Sequence, residues 1–273
     1  MKRLINLRPS APFKLMLGLL PFMLLIIAYM AGSDARLELN PNDKLLPGLE
    51  QMGSAIERMA LEPSKRTGEY MLWTDTASSL TRLGLGVLIA ASLGLILGLF
   101  TGALPLVSST FSPLLTVVSL IPPLALLPIL FIVFGLGELS KVMLIAIGIT
   151  PFIARDLQRR TLEIPAEQIV KAQTLGANTS QILVRVLLPQ LMPRLIDAVR
   201  LSLGAGWLFL IAAEAIAATD GLGYRIFLVR RYMSMDVILP YTAWITLLAF
   251  MFDALLAWSS RRLFPWHVQG GQS

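Results

Sequence analysis

The fold of this chain is most readily inferred from residues 164–189, IPAEQIVKAQTLGANTSQILVRVLLP. This segment predicts a helix, a glycine break and a second helix. Pro165 suits the start of a helix, where its missing N–H costs no hydrogen bond, and Gly176 can take the positive φ that ends one. Asn178 is placed to cap the second helix, with Gln181 three residues later as in a capping box. Such a rigid, partly polar double helix is suited to docking another protein; the alternative is an ordinary loop that covers its own helix ends.

The composition indicates a membrane protein without catalytic groups. Of the 273 residues, 55% are hydrophobic and only 15% charged, whereas soluble domains carry about 25% charged residues. The net charge of +6 does not indicate nucleic-acid binding, because the bases flank apolar blocks and are not gathered into an aromatic-laced surface. There is no cysteine and a single histidine, His267, so disulfides and thiolate sites are excluded and histidine-based metal or catalytic sites have almost no ligands. No phosphate-loop motif occurs, so the chain has no recognisable ATP site of its own.

The N-terminal quarter predicts one membrane span followed by a polar segment. Residues 1–14 carry four basic side chains, and residues 15–33 carry no charge, which suits a spanning helix of about 20 residues. The apolar run is longer than that of a signal peptide and lacks an obvious cleavage site, so we expect a retained first span with a cytoplasmic N-terminus. Residues 34–75 hold eight acids against five bases, which favours the non-cytoplasmic side, with a short amphipathic helix near 48–61.

The chain then runs through 55 positions, 83–137, without a charged residue. This length suits two spans, the first from near Thr76 to Thr101 and the second at 113–134, with the break expected at 102–112. A stripe of small residues in the first of these spans allows another helix to approach closely. We expect that contact to lie inside one subunit rather than at a dimer face. The stripe is Gly86, Ala90, Gly94, Gly98 and Gly102.

Three prolines interrupt the next span. Pro122, Pro123 and Pro128 remove backbone donors inside a predicted membrane helix, and interrupted helices are a pointer to a translocation path. A plain kink is the alternative for any single proline. We therefore take Pro122 and Pro123 as translocation-path candidates.

The remaining spans are expected at 138–154, 195–218 and 237–256. Pro189 is expected to interrupt the second helix of the 164–189 segment. Six spans place both termini and residues 164–189 in the cytoplasm, in agreement with the basic residues there; three arginines at 225, 230 and 231, in a loop predicted to lie outside, are the exception. The expected regions are the N-terminus with the first span (1–33), a periplasmic segment (34–75), a core (76–260) and a cytoplasmic tail (261–273).

Two acidic residues, Glu214 and Asp253, lie at membrane depth or near it, where ionisable groups are costly and are functional candidates. Glu214 has small neighbours that leave room for a cavity, and Trp207 lies two turns earlier, so both are translocation-path candidates. The alternative is that Glu214 pairs with an arginine or a backbone amide. For Asp253 we favour pairing with an arginine at 200, 261 or 262.

Residues 170–189 resemble the cytoplasmic signature of the permease subunits of ABC importers, in the nitrate, sulfonate and taurine branch. That signature reads roughly E-A-A-x-x-x-G and ends in I-x-L-P. Ala172 matches its second alanine and Gly176 its glycine. Leu188 and Pro189 match the terminal Leu-Pro.

Val170 and Lys171 depart from this signature, because they replace its glutamate and first alanine. The resemblance nevertheless extends over about 76–265, since several further motifs follow in the order of that branch. They are FGLGELSK at 134–141, AGW at 205–207 with AE at 213–214, GLGY at 221–224 and FDALL at 252–256.

The resemblance implies an all-α type I importer permease, a five-helix core plus a peripheral first helix, in the bacterial inner membrane. It implies a second copy of the chain, a cytoplasmic ABC ATPase dimer that binds ATP, and a periplasmic or lipid-anchored solute-binding protein. The chain itself would do no covalent chemistry and would hold no cofactor. A self-contained secondary transporter or channel is the alternative, although we find no internal repeat. The residues expected to couple to the ATPase are Ile169, Ala172, Gly176, Ala177, Leu188 and Pro189.

Overall fold

The computed structural model describes residues 10–40, 43–65 and 68–266, and over these ranges it is helical without strands. The predicted all-α class is confirmed. The basic residues before position 9 and His267 lie outside the described residues. In chain order the helices are α1 (Ala11–Leu39), α2 (Leu49–Ala60), α3 (Met71–Ala103), α4 (Pro105–Leu120), a 3-10 turn (Pro123–Leu126) continuing into α5 (Leu127–Phe134), α6 (Glu138–Leu162), α7 (Ala166–Thr174), α8 (Thr179–Ala217), α9 (Leu222–Arg230) and α10 (Met235–Leu263).

The first helix stands apart from the bundle, and its apolar side chains are exposed along most of its length. It is tied to the segment before α2 by two hydrogen bonds, from the Tyr29 hydroxyl to the Pro47 carbonyl at 2.7 Å and from the Ser33 hydroxyl to the Leu46 carbonyl at 3.0 Å. Helix α2 confirms the short amphipathic helix predicted near 48–61, because it buries Ala55 and Ala60 and exposes its charged side.

The stripe of small residues on α3 packs against α6, which confirms that the contact lies within one subunit. A Cβ atom built on Gly98 would lie 2.5 Å from the Leu157 Cβ and 2.9 Å from the Ala154 carbonyl oxygen, so only glycine permits this approach. Each glycine of α3 contacts a residue of α6, and the sequence separation between the two residues is the same in every pair. The contacts therefore advance in the same direction along both helices, so the helices run parallel. We call this contact the glycine seam; it comprises Gly86, Gly94, Gly98 and Gly102 on α3 with Ile145, Ile153, Leu157 and Thr161 on α6.

The break expected at 102–112 is wrong in its extent. Only Leu104 separates α3 from α4, and Pro105 occupies the first helical position, where proline is tolerated. The hydroxyls of this region form hydrogen bonds within the helix; Ser109, for example, donates to the Pro105 carbonyl at 2.9 Å. The true interruption comes later, where α4 and the helical segment Pro123–Phe134 meet at 85°. The predicted interruption by Pro122 and Pro123 is therefore confirmed.

The interruption expected at Pro189 takes the form of a change in the helical turn, and α8 continues through the proline as one helix of 39 residues. The turn before the proline, Ile182–Leu187, is π-helical, and the Leu188 N–H bonds to the Leu183 carbonyl five residues back. This wider turn accommodates a residue whose ring would otherwise clash with the preceding turn. The predicted fifth span, 195–218, is thus the second part of a longer helix.

Four helices within the described residues, α1, α3, α8 and α10, are long and apolar enough to cross a membrane, and the bent α4–α5 pair makes a fifth if it counts as one span. Helix α6 is absent from this set because Lys141 and Arg155 bound its apolar stretch. It is nevertheless the centre of the bundle, with Ile145, Ile149 and Ile153 fully buried. The count of six spans and the cytoplasmic termini remain predictions.

Candidate functional site

Residues 164–189, which we call the coupling segment, have the predicted helix–glycine–helix structure. Helix α7 ends at Gly176, whose φ is +82°. The N–H of Ala177 bonds to the Ala172 carbonyl at 3.0 Å and that of Gly176 to the Gln173 carbonyl at 2.9 Å, which is the Schellman arrangement. The predicted capping box closes the next helix: the Gln181 N–H donates to Asn178 Oδ1 at 2.8 Å, and the Asn178 N–H donates to Gln181 Oε1 at 2.9 Å.

The expected coupling residues divide into two groups. Ile169, Ala172, Ala177 and Leu188 are partly buried and pack against the core of the bundle, so they hold the segment in place. Gly176 and Pro189 are exposed.

The segment exposes three apolar side chains that sequence reasoning did not select, of which Val184 is 56% exposed. Val170 is 54% exposed and Leu175 is 82% exposed. Exposed apolar groups on a rigid segment are typical of a docking surface. The coupling role of Ile169 and Ala172 stays a prediction.

A buried group of charges lies at the opposite end of α6 and α8 from the coupling segment. Helix α6 has 25 residues, which at 1.5 Å per residue separates the two sites by about 37 Å. The side chain of Arg82 is 4% exposed and donates to three carboxylates, with Lys141 contacting one of them at 2.7 Å. We call this group the Arg82 cluster; it comprises Asp75, Ser79, Arg82, Glu138, Lys141, Glu214, Asp220 and Arg225.

Arg82 joins three parts of the fold through its guanidinium group. Its NH1 donates to Glu214 Oε1 of α8 at 2.7 Å and to the Asp220 carbonyl at 3.0 Å. Its remaining nitrogens bond to the Glu138 carboxylate at the start of α6 and to the Asp220 side chain. A planar guanidinium spreads five donors over a rigid fork that reaches several carboxylates, whereas a lysine has three donors on a single nitrogen.

Glu214 therefore pairs with an arginine, as the alternative interpretation of this residue predicted. It is fully buried and also accepts from the Ser79 hydroxyl at 2.8 Å and the Gly223 N–H at 2.8 Å. Its place in a translocation path stays a prediction. Asp253 likewise pairs as favoured, because Arg200 donates to it at 2.9 and 3.0 Å.

The other translocation-path candidates lie apart from Glu214. Trp207 is 5% exposed, and its indole N–H has no hydrogen-bond partner within the described residues. Pro123 packs where α6 and α8 cross, since a Cβ built on Gly148 would lie 3.2 Å from the Pro123 Cβ and 2.5 Å from the Phe209 ring. Pro122 is exposed beside it. Their role also stays a prediction.

In the part of the chain that is described, no group of three or more His, Cys, Asp or Glu residues could hold a metal ion.

Sequence reasoning missed most of the Arg82 cluster, although one signal was present. Asp75, Ser79 and Arg82 lie four and then three residues apart on α3, and the spacing continues through Gly86. The stripe therefore extends beyond the glycines as polar residues on the same helix face. The arginine at 225, which counted against the topology, is one of the missed members and is paired with Asp75.

Comparison with known proteins assigns this arrangement to a family. Residues 90–265 match the family described as binding-protein-dependent transport system inner membrane component. The taurine transport system permease protein TauC of Escherichia coli (strain K12) is 38% identical over 196 residues, covering 72% of this chain and 71% of that protein. The putative aliphatic sulfonates transport permease protein SsuC of Bacillus subtilis (strain 168) is 28% identical over 188 residues, covering 69% of this chain and 68% of that protein.

Solved structures show the same fold. A chain of the MetNI methionine ABC transporter, from a study of its inward facing conformations, matches with a TM-score of 0.62 at 23% identity, covering 73% of this chain and 97% of that chain. An amino acid ABC transporter structure with histidines matches with a TM-score of 0.56 at 17% identity, covering 70% and 92%. The family match spans more than half of the chain, and TauC is similar over more than two thirds of both proteins. The chain therefore belongs to the family of binding-protein-dependent transport system inner membrane components.

Proposed function

We propose that this chain is the permease subunit of an ATP-driven importer and that its coupling segment docks on a cytoplasmic ABC ATPase. The observation that carries the proposal is the exposure of Val170 and Leu175 on a segment whose backbone is locked by a Schellman turn and a capping box. A pre-ordered apolar surface binds without a further cost in loop ordering. The family favours this importer over a self-contained secondary transporter or channel, which would need no such surface.

The complete transporter would contain two copies of this chain, two ATPase subunits and a periplasmic or lipid-anchored solute-binding protein. ATP binding and hydrolysis on the ATPases would move the coupling segments, and the permease pair would alternate between outward and inward access. This chain would bind no nucleotide itself. Native mass spectrometry of the purified complex tests the stoichiometry.

The solute is proposed to be small, of the sulfonate, nitrate or taurine-like class or a related organic molecule. This proposal rests on relatives that are named for taurine, aliphatic sulfonates and bicarbonate. Competition of unlabelled members of each class against uptake of labelled taurine in cells that produce the transporter tests it. Competition by none of these solutes would contradict the substrate class while leaving the permease assignment intact.

The docking claim is tested by purifying the tagged chain from membranes and identifying a co-purifying ABC ATPase by mass spectrometry. Leu175→Asp should abolish this association without unfolding the permease, because the side chain is 82% exposed. Leu61→Asp is the matched control, since Leu61 is 68% exposed and lies beyond α2, outside the coupling segment. Equal ATPase recovery with both variants would contradict the proposed surface.

A bulky residue at Gly176 gives a second test. Gly176→Trp should also prevent ATPase binding, both by its size and by strain at a φ of +82°. Gly68→Trp is matched for strain, since Gly68 has a φ of +73° and likewise open surroundings. It should retain the ATPase, so that loss in both variants would point to backbone strain rather than to docking.

A further inference from the structure

The turn between α8 and α9 is attached to α3 by polar contacts. The Gly221 N–H donates to Asp75 Oδ1 at 3.0 Å, and the Leu222 N–H donates to the Ser79 hydroxyl at 2.8 Å. The first backbone N–H groups of a helix have no partner inside the helix, and here side chains of α3 accept from the start of α9. The position of α9 thus depends on acceptors that belong to another helix.

Two arginines strengthen this attachment from opposite directions. Arg82, on α3, reaches out to both the carbonyl and the side chain of Asp220 in the turn. Arg225, on α9, reaches back to Asp75 on α3 at 2.8 Å, and Tyr241 of α10 donates to the same carboxylate at 3.2 Å. Each of the two charge pairs therefore crosses the boundary between α3 and the turn.

The turn also packs against α3 and α8 without space for an added side chain at its two glycines. Gly221 has a φ of +114°, and a Cβ built on it would lie 2.5 Å from the Glu214 carboxyl carbon and 2.7 Å from Arg82 NH1. A Cβ on Gly223 would lie 2.9 Å from the Ile211 backbone. These glycines allow the turn to pack directly on the cluster, in which Glu214, Asp75 and Ser79 have no exposure to solvent.

Such an attachment favours two positions of the turn, either in full contact with α3 or fully separated from it, over intermediate positions. With the turn seated, the buried charges are paired and fully hydrogen-bonded. With the turn lifted, the same charges are hydrated, whereas a partly opened state leaves buried charges without partners, which is strongly unfavourable. Two discrete arrangements are what a transport gate requires.

We propose that Arg82 and Asp75 are positioning residues for transport, which latch the turn before α9 and α9 itself in the closed position at the extracytoplasmic end of the permease. The latch releases when the ATPases drive the outward-open state. This inference rests on the proposed importer function, since release requires a partner that supplies energy at the other end of α6 and α8.

State-dependent labelling tests the latch. The chain contains no cysteine, so Ser79→Cys and Thr101→Cys each provide a single thiol on α3 at a position with no solvent exposure. Each variant is purified with its ATPase and treated with a membrane-impermeant maleimide, first without nucleotide and then trapped with ATP and vanadate. Trapping should raise the labelling rate of Ser79→Cys about tenfold, a typical size for coupling between two sites, while Thr101→Cys, in the glycine-packed part of α3, stays unlabelled.

A variant with a weakened latch provides the second part of the labelling experiment. Arg82→Lys keeps a positive charge but loses the forked set of donors that joins the three carboxylates, so Ser79→Cys combined with Arg82→Lys should be labelled even without nucleotide. A purely structural role would lower the yield of the complex and leave the state dependence unchanged. Denatured samples of every variant establish that each thiol can react.

Two results would overturn the latch: equal labelling of Ser79→Cys in both nucleotide states, or nucleotide-free labelling that Arg82→Lys leaves at the level of Ser79→Cys alone. In either case the ATPase would still co-purify. Failure to co-purify an ATPase with the unsubstituted chain would instead contradict the proposed importer function, so the two failures are distinguishable.

Discussion

The glycine seam and the Arg82 cluster both connect α3 with α6, but they do so by opposite physical means. The seam joins the helices through contacts between backbone and apolar side chains, which depend on shape and have a single good arrangement. The cluster joins α3 to the start of α6, the end of α8 and the next turn through ion pairs, which exchange readily for water once they are opened. From this difference we expect α3 and α6 to move as one unit, and the proposed latch requires only the turn before α9 to separate from them.

The largest effect is expected from breaking the seam. Gly98→Leu places atoms where Leu157 and the Ala154 carbonyl already lie, within 2.9 Å of the new Cβ. Overpacking typically costs about 1–3 kcal/mol where neighbouring side chains can shift, and more where they cannot. Here the Ala154 backbone blocks such a shift, so we expect the cost to exceed that of breaking any single ion pair. We expect little folded protein in membranes, measured as yield and as monodispersity on size-exclusion chromatography in detergent.

Gly84→Leu is the matched control for this change, because Gly84 lies on the same helix and a Cβ built on it would contact nothing within 4 Å. It should be recovered at normal yield. Equal recovery of both variants would show that the seam is not the fixed contact of the bundle.

The next largest effect is expected from Arg82→Gln, which leaves Glu214 buried without its cation. Removal of one partner of a buried ion pair costs about 3–5 kcal/mol, and Glu214 has no exposure through which water could compensate. Glu138 and Asp220 add less, because their side chains are 62% and 40% exposed. Thermal unfolding in detergent should show a large drop in the midpoint.

Adding Glu214→Gln to Arg82→Gln should restore much of that stability, because the double variant buries no unpaired charge at this pair. If the double variant were no more stable than the single one, the loss would come from side-chain shape rather than from charge. The comparison with the seam would then lose its physical basis.

A smaller effect is expected from Asp75→Asn. The substitution keeps an oxygen that can accept from the Gly221 N–H. It removes the charge that faces Arg225 and the second oxygen, which accepts from Arg225 and from the Tyr241 hydroxyl. Hydrogen bonds to charged groups contribute about 1.5–3 kcal/mol, and Arg225, whose side chain is 17% exposed, can turn toward water. The unfolding midpoint should fall by less than for Arg82→Gln, and an equal or larger fall would place Asp75 rather than Arg82 at the centre of the cluster.

The smallest effect is expected from Asp253→Asn, which opens a pair of similar geometry in more exposed surroundings. Arg200 donates to both carboxylate oxygens of Asp253, but the two side chains are 30% and 46% exposed. Exposed pairs contribute about 0–1 kcal/mol, so the unfolding midpoint should change little. A loss as large as that of Arg82→Gln would show that burial is not what distinguishes the cluster.

The features that sequence reasoning predicted correctly are mostly local. The capping box at Asn178 and Gln181 and the glycine end of α7 involve residues within a few positions of each other, so their spacing specifies them. The amphipathic pattern of α2 is equally local. The small-residue stripe on α3 predicted a close helix contact, although it did not identify α6 as the partner.

The error in the extent of the 102–112 break arose because proline and serine were interpreted without their surroundings. Pro105 begins a helix and Pro189 is accommodated by a π-helical turn, whereas Pro122 does end one. The same residue type therefore has different outcomes, which depend on whether the preceding turn can widen and on what packs against it.

The sequence by itself determined the helical class, the membrane setting and the double helix of the coupling segment, because hydrophobicity, charge bias and capping act over short distances along the chain. Only the tertiary structure decided which charges meet. Ser79 and Glu214 are 135 residues apart and Arg82 and Glu138 are 56 apart, and nothing in the spacing of such residues specifies their contact. Their pairing follows from the parallel seam between α3 and α6, which brings the cluster together at one end of the bundle and leaves the coupling segment at the other.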